Sequence, residues 1–213
     1  MNKVRFKYSK TGKSKYISHL DLMKNMQRAF IRAGIKLKYS QGFNPHPYMS
    51  VALPLSVGNE SLWELIDIAL EDDCELDIEK LEFPEGLVGL TFSKPERKFS
   101  EIVWVSVVCK MQYDFQLNID FVKKVESCFN KENLIITKKT KRGHKELNIV
   151  PFIKDIKFYY DDSKCITMTA IISAQNPTIS CDDLSKVLSE DLKPESTTIT
   201  RLVLYDNNMV VFN

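Results

Sequence analysis

Val4-Arg5-Phe6-Lys7-Tyr8-Ser9 alternates apolar and polar side chains with the period of a half-buried strand. The element after it decides the fold. Thr11-Gly12-Lys13 is a turn, and Ser18 with Asp21 stands at capping-box spacing, Asp replacing the usual Glu, so a helix is expected to start near His19. Leu22, Met26, Ala29, Phe30 and Ala33 then share one helical face, while Lys24, Arg28 and Arg32 line the opposite one. Gly34 is the residue that closes such a helix. Residues 40–47 hold a Gly, an Asn and two Pro and read as loop. Residues 48–53 and 62–70 read as strands, 77–81 as a short helix and 87–92 as a fourth strand. Strand, helix, strand, strand, helix, strand is the split βαβ, or ferredoxin-like, order.

A similar order comes after Lys94-Pro95-Glu96-Arg97-Lys98, which reads as a linker. Residues 103–113 form a long strand, Asp120 is placed to cap a helix carrying Phe121, Val122, Val125, Cys128 and Phe129, and residues 134–137 form a strand before the basic run 138–145. Residues 156–160 and 166–172 suit a hairpin around Asp161-Asp162-Ser163-Lys164. Ser180 and Asp183 cap a short helix, residues 198–204 return as a strand, and 209–212 come after a tight turn at Asn207-Asn208. The expected fold is α+β, two tandem ferredoxin-like (split βαβ) units with antiparallel sheets, over residues 1–95 and 99–213. The two halves share element order rather than sequence.

At 213 residues, 44% hydrophobic and 27% charged, the chain has the make-up of a soluble globular protein. No apolar run approaches the ~20 residues that span a bilayer, and Met1 leads directly into a charged strand without a signal-peptide pattern, so a cytoplasmic location and no membrane contact are expected. Cys74, Cys109, Cys128, Cys165 and Cys181 are scattered, with no CxxC pair, and read as reduced thiols rather than a zinc or iron–sulfur site. The charge is segregated. Residues 1–50 carry eleven basic side chains against the single acid Asp21, and residues 51–100 carry four basic against twelve acidic ones. Such a block is either the footprint of a polyanion partner or is neutralised by its acidic neighbour on folding.

Two of the three histidines fall in Tyr16-Ile17-Ser18-His19-Leu20-Asp21 and Tyr39-Ser40-Gln41-Gly42-Phe43-Asn44-Pro45-His46-Pro47. This density of amides, hydroxyls and rings is not required by any fold, and it points to binding. His19, in the first helical turn, suits a neutral imidazole that accepts or donates a proton. His46, between two prolines, is hard to assign to packing. His19, Asp21 and His46 are the types of a two-histidine, one-carboxylate metal set, but Asp21 is taken by the cap, so neither metal nor cofactor is expected. Tyr39, Phe43 and Tyr48 serve either as core plugs or as stacking platforms for unpaired bases. Lys24, Arg28 and Arg32 form one row, read either as a solvated face or as phosphate contacts. On the first strand, Lys3, Arg5 and Lys7 face the parity of Asp67 and Glu71, where cross-strand ion pairs are the plain expectation. The run 138–145 reads as a hairpin tip or a second phosphate-contacting arm.

Ser18-His19-Leu20-Asp21-Leu22-Met23, then Arg28-Ala29 and Arg32-Ala33-Gly34, then Tyr39 to Pro47 as quoted, resemble the radical-SAM-linked protein family, domain of unknown function 2344. The likeness is specific over about residues 3–70 and weaker through Pro151-Phe152-Ile153 and Thr200-Arg201-Leu202. Gln27 departs from it, since the family more often has an acid before Arg28. The resemblance implies an accessory of a radical SAM protein, acting on RNA or a ribosomal component. Without CxxxCxxC the chain cannot hold that cluster itself, so it is expected to be non-catalytic on its own. The expected RNA-binding set is Tyr16, Ser18, His19, Lys24, Arg28, Arg32, Tyr39, Ser40, Gln41, Phe43, Asn44 and His46. Tandem ferredoxin-like units with an early histidine also resemble the CRISPR-repeat-processing endoribonucleases, which cut RNA without metal. His19 or His46 would then be acid or base, assisted by Tyr16 or Tyr39, although the glycine-rich C-terminal loop of those enzymes is missing. A protein-only adaptor using the acidic 60–85 stretch is the third reading.

Overall fold

The computed structural model describes residues 2–72, 74–140, 143–160 and 164–213. Residues 141–142 of the basic run and 161–163 of the expected hairpin turn lie outside them. Among the described residues ten strands and three α-helices run along the chain: β1 (Asn2–Lys10), α1 (His19–Arg32), β2 (Met49–Val51), β3 (Glu60–Leu70), β4 (Leu87–Ser93), β5 (Trp104–Gln112), α2 (Ile119–Phe129), β6 (Ile135–Thr140), β7 (Gly143–Asn148), β8 (Ile153–Tyr160), β9 (Cys165–Ser173), α3 (Cys181–Ser185) and β10 (Ser196–Tyr205).

The α+β class and the mainly antiparallel pairing are as expected. The expected pair of separate sheets is not found. The N-terminal strands run β4-β1-β3 with β2 on the far side of β3, and the C-terminal strands run β10-β5-β9-β8. The two sets join in one eight-stranded sheet, because β10 pairs in parallel with β3 at Thr200–Glu60 and Arg201–Ser61. Hydrophobic alternation gives each strand its faces but says nothing of which edges meet, so this join was invisible to the pattern. The expected helix at 77–81 is also absent: a single turn, Leu81 N–H to Ile78 O at 3.0 Å, takes its place. The 209–212 segment makes a bridge, Tyr205 with Val211, rather than a strand. The basic run is part of a two-stranded β6–β7 ribbon that stands apart from the main sheet.

Alternation places Val4, Phe6 and Tyr8 of β1 under α1, where they bury with Leu22, Met26 and Phe30. Phe6 packs edge-on to Phe30 at 5.3 Å between ring centres and against Phe92 at 4.8 Å. The C-terminal core gathers on β5, β9, α2 and α3, around Val107, Cys109, Met168, Val125 and Leu184. Around Arg5 the other face of β1 is covered by the chain's last residues. Arg5, 1% exposed, forks onto Asp67 at 2.7 and 2.9 Å, donates to the main-chain oxygen of Asn213, and lies between the rings of Phe99 and Phe212. Arg97, in the expected linker, is tied to Asp206 at 2.9 Å and stacks on Phe212, so that segment is clamped rather than loose.

Candidate nucleic-acid interface

Ser18 caps α1 as its spacing predicts: its hydroxyl accepts from the Asp21 N–H at 3.2 Å and donates to the Asp21 carboxylate at 2.7 Å. The chain entering the helix is held from below. Lys10, buried, donates its ammonium to Ile17 O at 2.9 Å, and burial pushes its pKa down. This leaves Tyr16, His19 and Leu20 exposed around the first turn. At the other end Gly34, with φ at +79°, stops the helix.

From there residues 37–39 run along the end of β3, and the chain doubles back at Pro47. Lys38 N–H donates to Ala69 O at 2.8 Å, Tyr48 N–H to Lys38 O at 2.9 Å, and Tyr39 bridges Pro47. Ser40 closes the loop with both its groups. Its N–H donates to His46 O at 2.8 Å, and its hydroxyl accepts from the His46 N–H at 2.9 Å. The side chains beyond Ser40 are solvated: Gln41, Asn44 and His46 are exposed, and the Phe43 ring is fully so. A fully exposed phenylalanine at the tip of a braced loop contributes nothing to a core.

The residues of the expected set therefore divide. Tyr39 is a half-buried plug whose hydroxyl accepts from the Gln27 amide at 3.1 Å, which ties the middle of α1 to the foot of the loop. Gln27 lies eight residues beyond His19, about 12 Å of helix. The foot of the loop thus meets α1 about two turns along the helix from His19. Asp21 is spent on the cap, and no group of metal-ligating side chains forms among the described residues.

The charge question resolves residue by residue. Five of the eleven N-terminal cations pair with the acidic stretch: Arg5–Asp67, Lys13–Glu85, Lys15–Glu60, Arg32–Glu82 and Lys36–Asp72. Lys7 lies over the Trp63 ring, and Lys10 is buried. Lys3, Lys24, Arg28 and Lys38 meet no acid among the described residues. Lys24 and Arg28 are exposed on α1 beside Gln27. Lys38 alternates with Leu37 and Tyr39, which pack toward α1, so it belongs to the sheet's other face with Lys3. The remaining cations thus fall on both faces of the sheet, with Lys38 at the entry to the loop. Arg32, also exposed, stands near the Glu82 carboxylate at 3.8 Å and donates to the Glu82 main-chain oxygen at 2.9 Å. The basic ribbon is partly used up as well, since Lys138 binds Asp183 at 2.9 Å.

Beside the loop lies a hollow of about 440 Å³, lined by Lys3, Pro47, Tyr48, Ser50, Asp67 and Ala69 among others. Neither histidine lines it. Lys3, Lys38, Tyr48 and Gln27 were outside the expected set. Strand parity in residues 3–8 and 37–39 was the signal that could have found the lysines, but it needed the partner strand.

In fold the chain is similar to a chain of the crystal structure of a Cbf5–Nop10–Gar1 complex, with a TM-score of 0.51 and 9% identity over 92% of this chain and 47% of that one. A chain of the archaeal box H/ACA sRNP Nop10–Cbf5 complex gives a TM-score of 0.49 at 9% identity, over 93% and 46%. The protein spans about half the length of these structures. No curated protein matches the sequence. Residues 3–181 match the bacterial family described as an uncharacterized protein conserved in bacteria (DUF2344), and the chain belongs to that family.

Proposed function

We propose that this protein is an RNA-binding accessory module, which engages RNA through the surface running from His19 along Lys24 and Arg28 to the loop 39–47. One observation carries this reading. Lys24 and Arg28, beside the Gln27 that holds the foot of the loop, and Lys38, which enters it, meet no acid among the described residues, and the loop holds a phenylalanine fully in solvent. Isolated surface lysines are ordinary, but cations left over after a systematic match with the acidic stretch, beside an exposed ring, are the groups that track a phosphate backbone and stack a base. On the sequence resemblance of residues 18–47 alone, the reading includes a separate radical SAM protein as partner, which co-purification with such a protein would support.

The direct test is a titration of fluorescent ribosomal and transfer RNA fragments, from low to physiological salt. Binding that weakens steeply with salt is expected. No binding at low salt, or binding indifferent to salt, overturns the proposal.

A further inference from the structure

The hollow beside the loop, on the other face of the sheet from α1, narrows what kind of RNA the protein takes. Strand register lines up Tyr48, Ala69 and Lys3 in one row and Ser50, Asp67 and Arg5 in the next, all on the sheet face turned away from α1. Ala69 is the small member between two long side chains, and the hollow opens there. Asp67 is fixed by the Arg5 fork, which orients its carboxylate as an acceptor at one end. Lys3 has no acidic partner among the described residues, and the Tyr48 ring is half exposed. About 440 Å³ lies at the lower end of small-ligand pockets.

We propose that the hollow holds one unpaired base of the bound RNA strand, stacked on Tyr48, with an N–H on its edge donating to Asp67 and the adjoining phosphate on Lys3. This rests on the RNA-binding reading above. A base within a duplex has its edge already paired and its faces stacked, so it cannot enter. The surface is thus selective for single-stranded segments.

The full chain is titrated with a short oligoribonucleotide carrying one 2-aminopurine, whose fluorescence falls on stacking, and with the duplex of the same strand. Quenching by the single strand alone is expected. Ala69→Leu, which fills the hollow, and Tyr48→Ala, at a half-exposed position, should each abolish the quench and lower single-strand affinity about 10-fold relative to duplex. A melting curve shows whether Ala69→Leu folds, and Tyr48→Ala carries the test if it does not. Undiminished quenching and single-strand preference in a folded variant overturn the base-binding hollow while leaving RNA binding intact. Failure of wild type to bind either RNA removes both proposals.

Discussion

Arg201 donates to Glu64 at 2.7 Å across the parallel join of β10 and β3, with the carboxylate buried. The same guanidinium donates to Leu53 O at 3.0 Å. It is the polar tie at the seam where the two strand sets become one sheet. Burial pushes the Glu64 carboxyl up, and Arg201 pulls it back. Arg201→Met should cost about 3–5 kcal/mol, because it strands the charge of Glu64 in a desolvated place. A carboxyl raised on folding favours the protonated native state, so its contribution is present at low pH and lost as pH rises through the folded value. The deficit of Arg201→Met should therefore be smaller at about pH 5 than at about pH 8. Urea unfolding at both values checks this, and equal deficits would mean that Glu64 is not the source.

Gly86 sits where β4 begins against the first turn. Thr11 N–H donates to Gly86 O at 2.7 Å, and a Cβ at Gly86 would fall 2.1 Å from Thr11 O, at a φ of +87°. Gly86→Ala should cost on the order of 2 kcal/mol or more from clash and backbone strain together. Gly42→Ala, in open space at the loop, meets only the strain and should cost less. Thermal melts of the two variants give the comparison.

The elements were largely legible because they are written in local periodicity. β1, α1 with its Ser18 cap and Gly34 stop, β5 and the β8–β9 pair fall where alternation and capping place them. The cap of α2 is Asn118, whose side chain accepts from Phe121 N–H, rather than Asp120, because both residues suit a cap and only the backbone path separates them. The β3–β10 join was not legible: it pairs Ser61 with Arg201, far apart in the chain and with no local trace. At the candidate site the motif was conspicuous as composition, but the division of labour within it was not. Tyr39 as plug, Phe43 as free ring and Arg32 as the partner of Glu82 are all settled by neighbours beyond their own segment.

Asp183 anchors the short helix α3 and the ribbon above it. Burial would raise its carboxyl, but hydrogen bonds from Lys186, Lys138 and Ser180 prevail and bring it down to about 2. A carboxyl lowered on folding contributes stability that is present above its unfolded value and lost as pH falls through the folded one. Between about pH 4 and about pH 2 the protein should lose roughly 2 kcal/mol from this group. Asp183→Asn should lose that increment at neutral pH and show a flatter acid limb. Urea midpoints followed by circular dichroism through this range test the claim, and an unaltered acid limb in the variant would contradict it.

Charge and ring contacts should separate in RNA binding. Lys24 and Arg28 have no acidic partner among the described residues, whereas Arg32 already sits on Glu82. If the first two meet phosphates, replacing both by Ala should reduce the slope of log affinity against log salt by about 1.4, at roughly 0.7 per contact on a single strand. Arg32→Ala should change it less, because its charge is shared with Glu82. Phe43→Ala should behave differently: affinity falls about 10-fold with the slope unchanged, since stacking releases no counterions. Phe43 is fully exposed, so the melting temperature of that variant should match wild type. Anisotropy titrations of the three variants across a salt series decide the matter. A Phe43→Ala variant that binds as wild type would leave the exposed ring without a role in RNA recognition.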